Sequence, residues 1–212
     1  MKVERGGALA LIAGTAAMLG VMALHPSGVG HAAEAAGILR LGFIVHAVAI
    51  GSAPVLTFGT FAISRNLGFS PAAALAFFFY LFGAIMVVLA ATMSGFVATK
   101  LIELQLAASG TDRDMLHAIL RLEWILNQSF ATLHVVLFSA AIALYAFAWP
   151  DKGALAAAVK IVGFIVGIGV FAWLVSGTLT LNVHGMGAVV ILQGAWFVLA
   201  AVALLSRPSA PE

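Results

Sequence analysis

The chain has 212 residues and no cysteine. This absence excludes disulfides, iron–sulfur clusters and thiolate metal sites. Any metal or cofactor must therefore be held by the six histidines, the acids or methionine. Charge is equally scarce: ten Lys and Arg with eight Asp and Glu amount to 8% of the residues. A soluble surface needs about a quarter of its residues charged, so an ordinary soluble domain is excluded. The basic residues lie singly rather than in a patch, which excludes a nucleic-acid reader. The net charge of +2 and the pI of 9.3 therefore say little about partners. Catalytic signatures are missing too: there is no Gly-x-Ser-x-Gly, no His-Glu-x-x-His, no P-loop and no aspartate pair in an apolar run. No catalytic residue is assigned, the reading leans away from an intramembrane enzyme without deciding it, and an ATP-driven role would need a partner subunit.

What the chain has is apolar length. Hydrophobic residues make up 63% of it and the mean hydropathy is +1.14. Five intervals carry no charge at all: residues 6–33, 41–64, 66–99, 124–150 and 161–206. Each exceeds the roughly 20 apolar residues that a helix needs to cross a bilayer, where only a helix satisfies every backbone hydrogen bond within one segment. The last interval is too long for one crossing and is broken by Ser176, Gly177, Thr178, Thr180, Asn182, His184 and Gly185, a turn signal. The reading is an all-α, polytopic membrane helix bundle forming a single integral membrane domain over residues 1–212. Its spans lie near 6–24, 37–64, 71–106, 113–149, 153–178 and 183–206. The third and fourth helices exceed a bilayer's needs and are expected to project as a hairpin turning at residues 109–112, with Thr111 or Asp112 as N-cap of the fourth and Asp114 in its first turn.

Lys2 and Arg5 ahead of an apolar run, with Gly30, His31, Ala32 and Ala33 beyond it, also have the layout of a secretory signal peptide; residues 8–24 outrun a usual apolar signal core. Pro26 is expected to stop the first helix. An inside N-terminus places Lys2, Arg5, Arg65, Lys152, Lys160 and Arg207 on the cytoplasmic side against Arg40, Lys100, Arg113 and Arg121, which favours cytoplasmic termini. The segment from Arg5, Gly6 and Gly7 through to His25 and Pro26 resembles bacterial polytopic membrane proteins, and this resemblance implies a bacterial inner-membrane setting. Trp124 at one end of the fourth span, with Tyr145 and Trp149 at the other, read as interfacial anchors. Gly163 with Gly167, and Ala10, Gly14 and Gly20, read as close-packing steps between helices.

Polar side chains inside apolar spans cost several kcal/mol and mark where function is to be sought. On the fourth helix, Glu123, Asn127, Phe130, His134, Ala141 and Tyr145 share a stripe about 60° wide, with Arg121, Gln128 and Thr132 nearly opposite. The second helix carries His46, Thr57, Thr60 and Ser64 on one side and a helix-disrupting Pro54. The third adds Thr92 and Ser94, and the sixth adds Asn182, Gln193 and Trp196. In alternating topology the second and fourth helices run the same way, so His46 and His134 can share one depth.

Several readings follow. In the first, the second, fourth and sixth helices enclose a polar site that binds or conducts a small solute or protons. It is built from His46, Thr57, Asn127, Gln128, His134 and Gln193, with Glu123 and Arg121 at its vestibule. In the second, a b-type haem is held between His46 and His134, with small residues such as Ala47, Ala49, Gly51 and Ala53 admitting the macrocycle. In the third, the polar residues only fix packing, in a non-catalytic packing or anchoring subunit of a larger membrane complex or homo-oligomer. His25, His31, His117 and His184 fall near span ends. No His-x-x-x-His spacing joins them, so they signal at most a shallow metal site.

Overall fold

The structure, a computed structural model, describes residues 3–26 and 35–206. Lys2, Glu34, Arg207, residues 30–33 of the signal-peptide reading and the tail at 208–212 lie outside the described residues. The elements are α1 (Val3–Leu24), α2 (Ala35–Asn66), α3 (Pro71–Thr92), a π-helical turn (Met93–Val97), α4 (Ala98–Ala107), α5 (Gly110–Ala148), α6 (Ala154–Val175) and α7 (Val183–Leu205). Among the described residues there is no strand. Because α3, the π turn and α4 run on as one helix, six helices are long and apolar enough to cross a membrane. The chain is thus a multi-pass helical protein whose outward faces meet lipid.

Punctuation residues decide where helices stop. Pro26 follows the end of α1 at Leu24. Gly68 and Phe69, both at positive φ, turn the chain between α2 and α3, and Pro71 opens α3 at the position where a missing N–H does no harm. Asn182 caps α7 by accepting a hydrogen bond from the Gly185 N–H at 2.9 Å. The N-terminus of α5 departs from expectation. The helix begins at Gly110 and Ser109 occupies the cap position without a side-chain bond, so Asp112 lies in the first turn instead of capping.

Each helix packs against its neighbours in sequence, and α7 returns to pack on α1, closing a ring of six antiparallel crossings. The ring has two unlike ends. At the end holding the start of α1 and the end of α7, Tyr145, Trp149, Trp196 and Ile63 are fully buried. There Ser64 Oγ and Tyr145 OH share a 2.8 Å hydrogen bond, Tyr145 OH donates to the Thr60 carbonyl at 3.1 Å, and Trp196 Nε1 donates to the Val159 carbonyl at 3.0 Å. Tyr145 and Trp149 are therefore interior residues and not interfacial anchors, because the C-terminal end of α5 is covered by its neighbours. Trp124 is 61% exposed, as an anchor must be. At the other end, residues 101–122 form the hairpin of α4 and α5 and contribute no buried side chain.

Close approach between helices rests on particular glycines. A Cβ on Gly7 would stand 2.1 Å from that of Ala62, and one on Gly14 would meet the Leu56 side chain at 2.5 Å. One on Gly167 would stand 2.7 Å from the Ser139 carbonyl oxygen and 2.8 Å from the Ala143 nitrogen, both backbone atoms of α5. Gly20, by contrast, has nothing within 4 Å and performs no such role. Since backbone cannot swing aside, Gly167→Ala is expected to lower stability by about 1–3 kcal/mol. Gly169→Ala, two residues on and facing open space, should be neutral or gain up to about 1 kcal/mol. Thermal unfolding of the two variants in detergent, followed by circular dichroism, checks the contrast.

Candidate functional site

His46 sits on α2, 9% exposed and turned into the ring. Its Nδ1 lies 2.6 Å from the Gly42 carbonyl oxygen one turn earlier. A carbonyl only accepts, so Nδ1 carries the proton and a neutral ring has its lone pair on Nε2. That Nε2 faces Nε2 of His25 at 3.3 Å. His25 stands just beyond the end of α1, and its own Nδ1 lies 3.0 Å from the Pro26 carbonyl. Pro26 in turn rests beside Gly42, 3.9 Å from where a Cβ there would be. The stop signal that ends α1 thus also brings His25 back against α2.

The π turn holds the ring from the opposite side. A Cβ on Gly95 would stand 2.3 Å from His46 Cβ and 2.7 Å from its Cγ, so only glycine lets the turn close over the imidazole. π turns inside α-helices are frequent at functional sites because the extra residue re-aims the local backbone.

The stripe expected on the fourth span faces inward along α5. Glu123 and His134 are buried, Asn127 and Phe130 partly so, while Thr132 is exposed and donates to the Gln128 carbonyl at 2.8 Å. His46, Asn127, Gln128 and His134 all line one cavity of about 310 Å³ at the hairpin end of the bundle. His25, Ser94 and Asn182 add further polar groups, and Met18, Met22 and Met186 add thioethers. The walls come from α1, α2, α3 with its π turn, α5 and α7. The second, fourth and sixth spans expected to enclose the site are joined there by α1 and by α3 with its π turn.

The inner end of the cavity narrows at His134, whose ring meets Phe138 edge-on with centroids 4.2 Å apart. Phe138 stacks on Tyr80 at 4.3 Å, and both contact Phe197. Beside this aromatic layer lies a void of about 40 Å³, lined by Thr15, Ser52, Tyr80, His134 and Gln193 among others. That is room for about one water molecule. Thr15 Oγ1 and His134 Nδ1, both buried, have no hydrogen-bond partner in the protein. Gln193 is 3% exposed, belongs to this inner void and donates weakly to Ser139 Oγ at 3.5 Å across α5 and α7.

Three sequence-nominated residues line neither the cavity nor the inner void. Thr57 donates to the Ala53 carbonyl at 2.8 Å and lines neither space. Arg121 is exposed on the hairpin. Glu123 is 7% exposed with Oε1 unpartnered, and it is neither paired with Arg121 nor part of the lining. The haem alternative also fits poorly. His46 Nε2, the atom that would ligate iron opposite His134, faces His25 Nε2 at 3.3 Å instead, and Gly51, expected to admit the macrocycle, faces outward. Among the described residues no cluster of three or more His, Asp or Glu is placed to hold a metal ion.

His25 is the residue that sequence reasoning assigned elsewhere. The signal was its neighbour: a proline directly after a histidine at a helix end fixes the chain direction there, but not what the imidazole meets.

Gly95→Ala is expected to destabilise the protein by about 1–3 kcal/mol, since the new methyl collides with His46 Cβ. In a His46→Gly background the penalty should largely vanish, as contacting residues couple. Thermal unfolding of the two single variants and the double variant checks this, and strictly additive losses would break the assignment. Comparison with protein-family models, curated proteins and solved structures finds no match to this chain.

Proposed function

We propose that the chain is a bacterial inner-membrane protein that takes up a small solute or protons in a polar cavity open toward the α4–α5 hairpin. One observation carries the reading. Imidazoles and carboxamides from four separated parts of the sequence, at His25, His46, Asn127 with Gln128, and Asn182, converge on one 310 Å³ space inside an otherwise apolar ring. His46 is buried and Asn127 and Gln128 are half-buried, and setting them inside apolar spans is expensive unless they serve something that enters. The lining includes no carboxylate, lysine or arginine, so it suits a neutral or singly charged guest.

The closed aromatic layer below His134 supports binding over free conduction in this conformation. Beyond it, the Ser64–Tyr145 network and the buried Trp149 and Trp196 fill the ring. The sequence count of six basic residues, Lys2, Arg5, Arg65, Lys152, Lys160 and Arg207, against Arg40, Lys100, Arg113 and Arg121 favours cytoplasmic termini, and with them a cavity mouth on the opposite face. An anchoring role in a larger complex draws support from a separate observation. The hairpin leaves Leu104, Leu106, Met115, Ile119 and Leu122 exposed.

The absence of native cysteine makes a direct test clean. Asn127→Cys and Ser94→Cys, introduced singly, should react in intact cells with a small membrane-impermeant thiol reagent added from outside. Ser139→Cys, buried at 1% exposure below the aromatic layer, should react only after denaturation. If both cavity positions stay unreactive in the folded protein, the open cavity is refuted.

A further inference from the structure

The His25–His46 pair poses an electrostatic problem that a small cation solves. Both Nδ1 atoms lie against backbone carbonyls, at 3.0 and 2.6 Å, and both must therefore carry protons. Two neutral rings then bring two Nε2 lone pairs to 3.3 Å of each other with nothing to bind them together. Their spacing is that of a chelate: two nitrogens each 2.0–2.1 Å from a tetrahedral ion stand about 3.3 Å apart. Donation of the second ring nitrogen to a backbone carbonyl is also how metal-ligating histidines are ordinarily oriented.

The surroundings indicate which ion. Met18, Met22 and Met186 line the same cavity as the two imidazoles. Met18 and Met22 stand four residues apart on one face of α1, which ends just before His25. Thioethers select soft ions such as Cu(I), whereas hard divalent ions want oxygen. No acidic side chain lines the cavity, so the ligand set is uncharged. The penalty for bringing an ion into an apolar interior rises with the square of its charge, so a neutral set favours a monovalent ion. We propose that His25 and His46, with thioether sulfur from methionines that line the same cavity, form a binding site for a soft monovalent metal ion of the Cu(I) and Ag(I) class at the mouth of the polar cavity. The inference rests on the open cavity proposed above and names its guest.

The test is an anaerobic titration of Cu(I) into the detergent-solubilised full chain in competition with a Cu(I) chelator, with Ag(I) as a redox-silent second probe. One equivalent should bind per chain, and X-ray absorption at the copper edge should show imidazole nitrogen together with sulfur. His46→Ala and His25→Ala should each abolish binding, whereas His184→Ala, exposed at the start of α7, should leave it unchanged. His25 lies outside the helices, so His25→Ala keeps the test decisive even where His46→Ala unfolds; unaltered thermal unfolding of His25→Ala confirms an intact bundle. Replacing the three methionines by Leu should remove the sulfur signal. Absence of stoichiometric Cu(I) binding overturns the metal site and leaves a shared proton between the rings. Tighter binding of Zn(II) than of Cu(I) overturns the choice of a soft monovalent ion. In either case thiol access at Asn127→Cys decides separately whether the cavity itself stands.

Discussion

The hydrogen bond from His46 Nδ1 to the Gly42 carbonyl governs the chemistry of the cavity. Within a helix this carbonyl already accepts from the amide four residues on, and its second lone pair is free to hold the imidazole. Once Nδ1 is committed, the other ring nitrogen has one role left, to present a lone pair toward α1. The glycine-bearing π turn of the third span then closes over the ring and keeps it from rotating away. Three elements from separate parts of the chain are thereby tied to one imidazole, which becomes the fixed point around which the softer polar groups of α5 and α7 are arranged.

The bundle divides its polar groups by what water can reach. At the end with the start of α1 and the end of α7, hydroxyls and an indole N–H find partners within the protein, and large aromatic side chains fill the ring. Hydrogen bonds between membrane helices contribute only about 0.6–1.7 kcal/mol each, so they specify register more than they hold the bundle together. Stability there comes from close approach at Gly7, Gly163 and Gly167, where side-chain-free surfaces bring α1 to α2 and α5 to α6. At the hairpin end the same ring is left unfilled. Amides and imidazoles line space instead of filling it, beside the end of α1 and the π turn.

Much of this was legible in the residues. Six spans followed from the charge-free intervals, because hydrocarbon admits only segments that satisfy their own backbone. The observed helix ends depart from the expected ones by at most three residues at each end. The inward stripe of α5 followed from helical periodicity. The errors share one cause: periodicity along a single helix says which residues stand together, and it is silent on which neighbour covers them. Tyr145 and Trp149 looked like interfacial anchors because they sit near a span end, yet the ring buries them. Thr57 and Gln193 looked like cavity residues because they share faces with His46 and Asn182, yet one bonds to its own helix and the other lines the small void beside the aromatic layer.

The amino-acid sequence by itself determined that the chain is a six-span membrane bundle with a projecting hairpin and polar residues facing its interior, since solvent partition acts on each segment independently of the others. The tertiary structure alone decided that His25 meets His46, that one cavity gathers five of the ring's walls, and that Glu123 and Arg121 stay outside it. Those outcomes depend on where helix ends turn and which glycines let helices touch, and these are relations between segments that no single segment encodes.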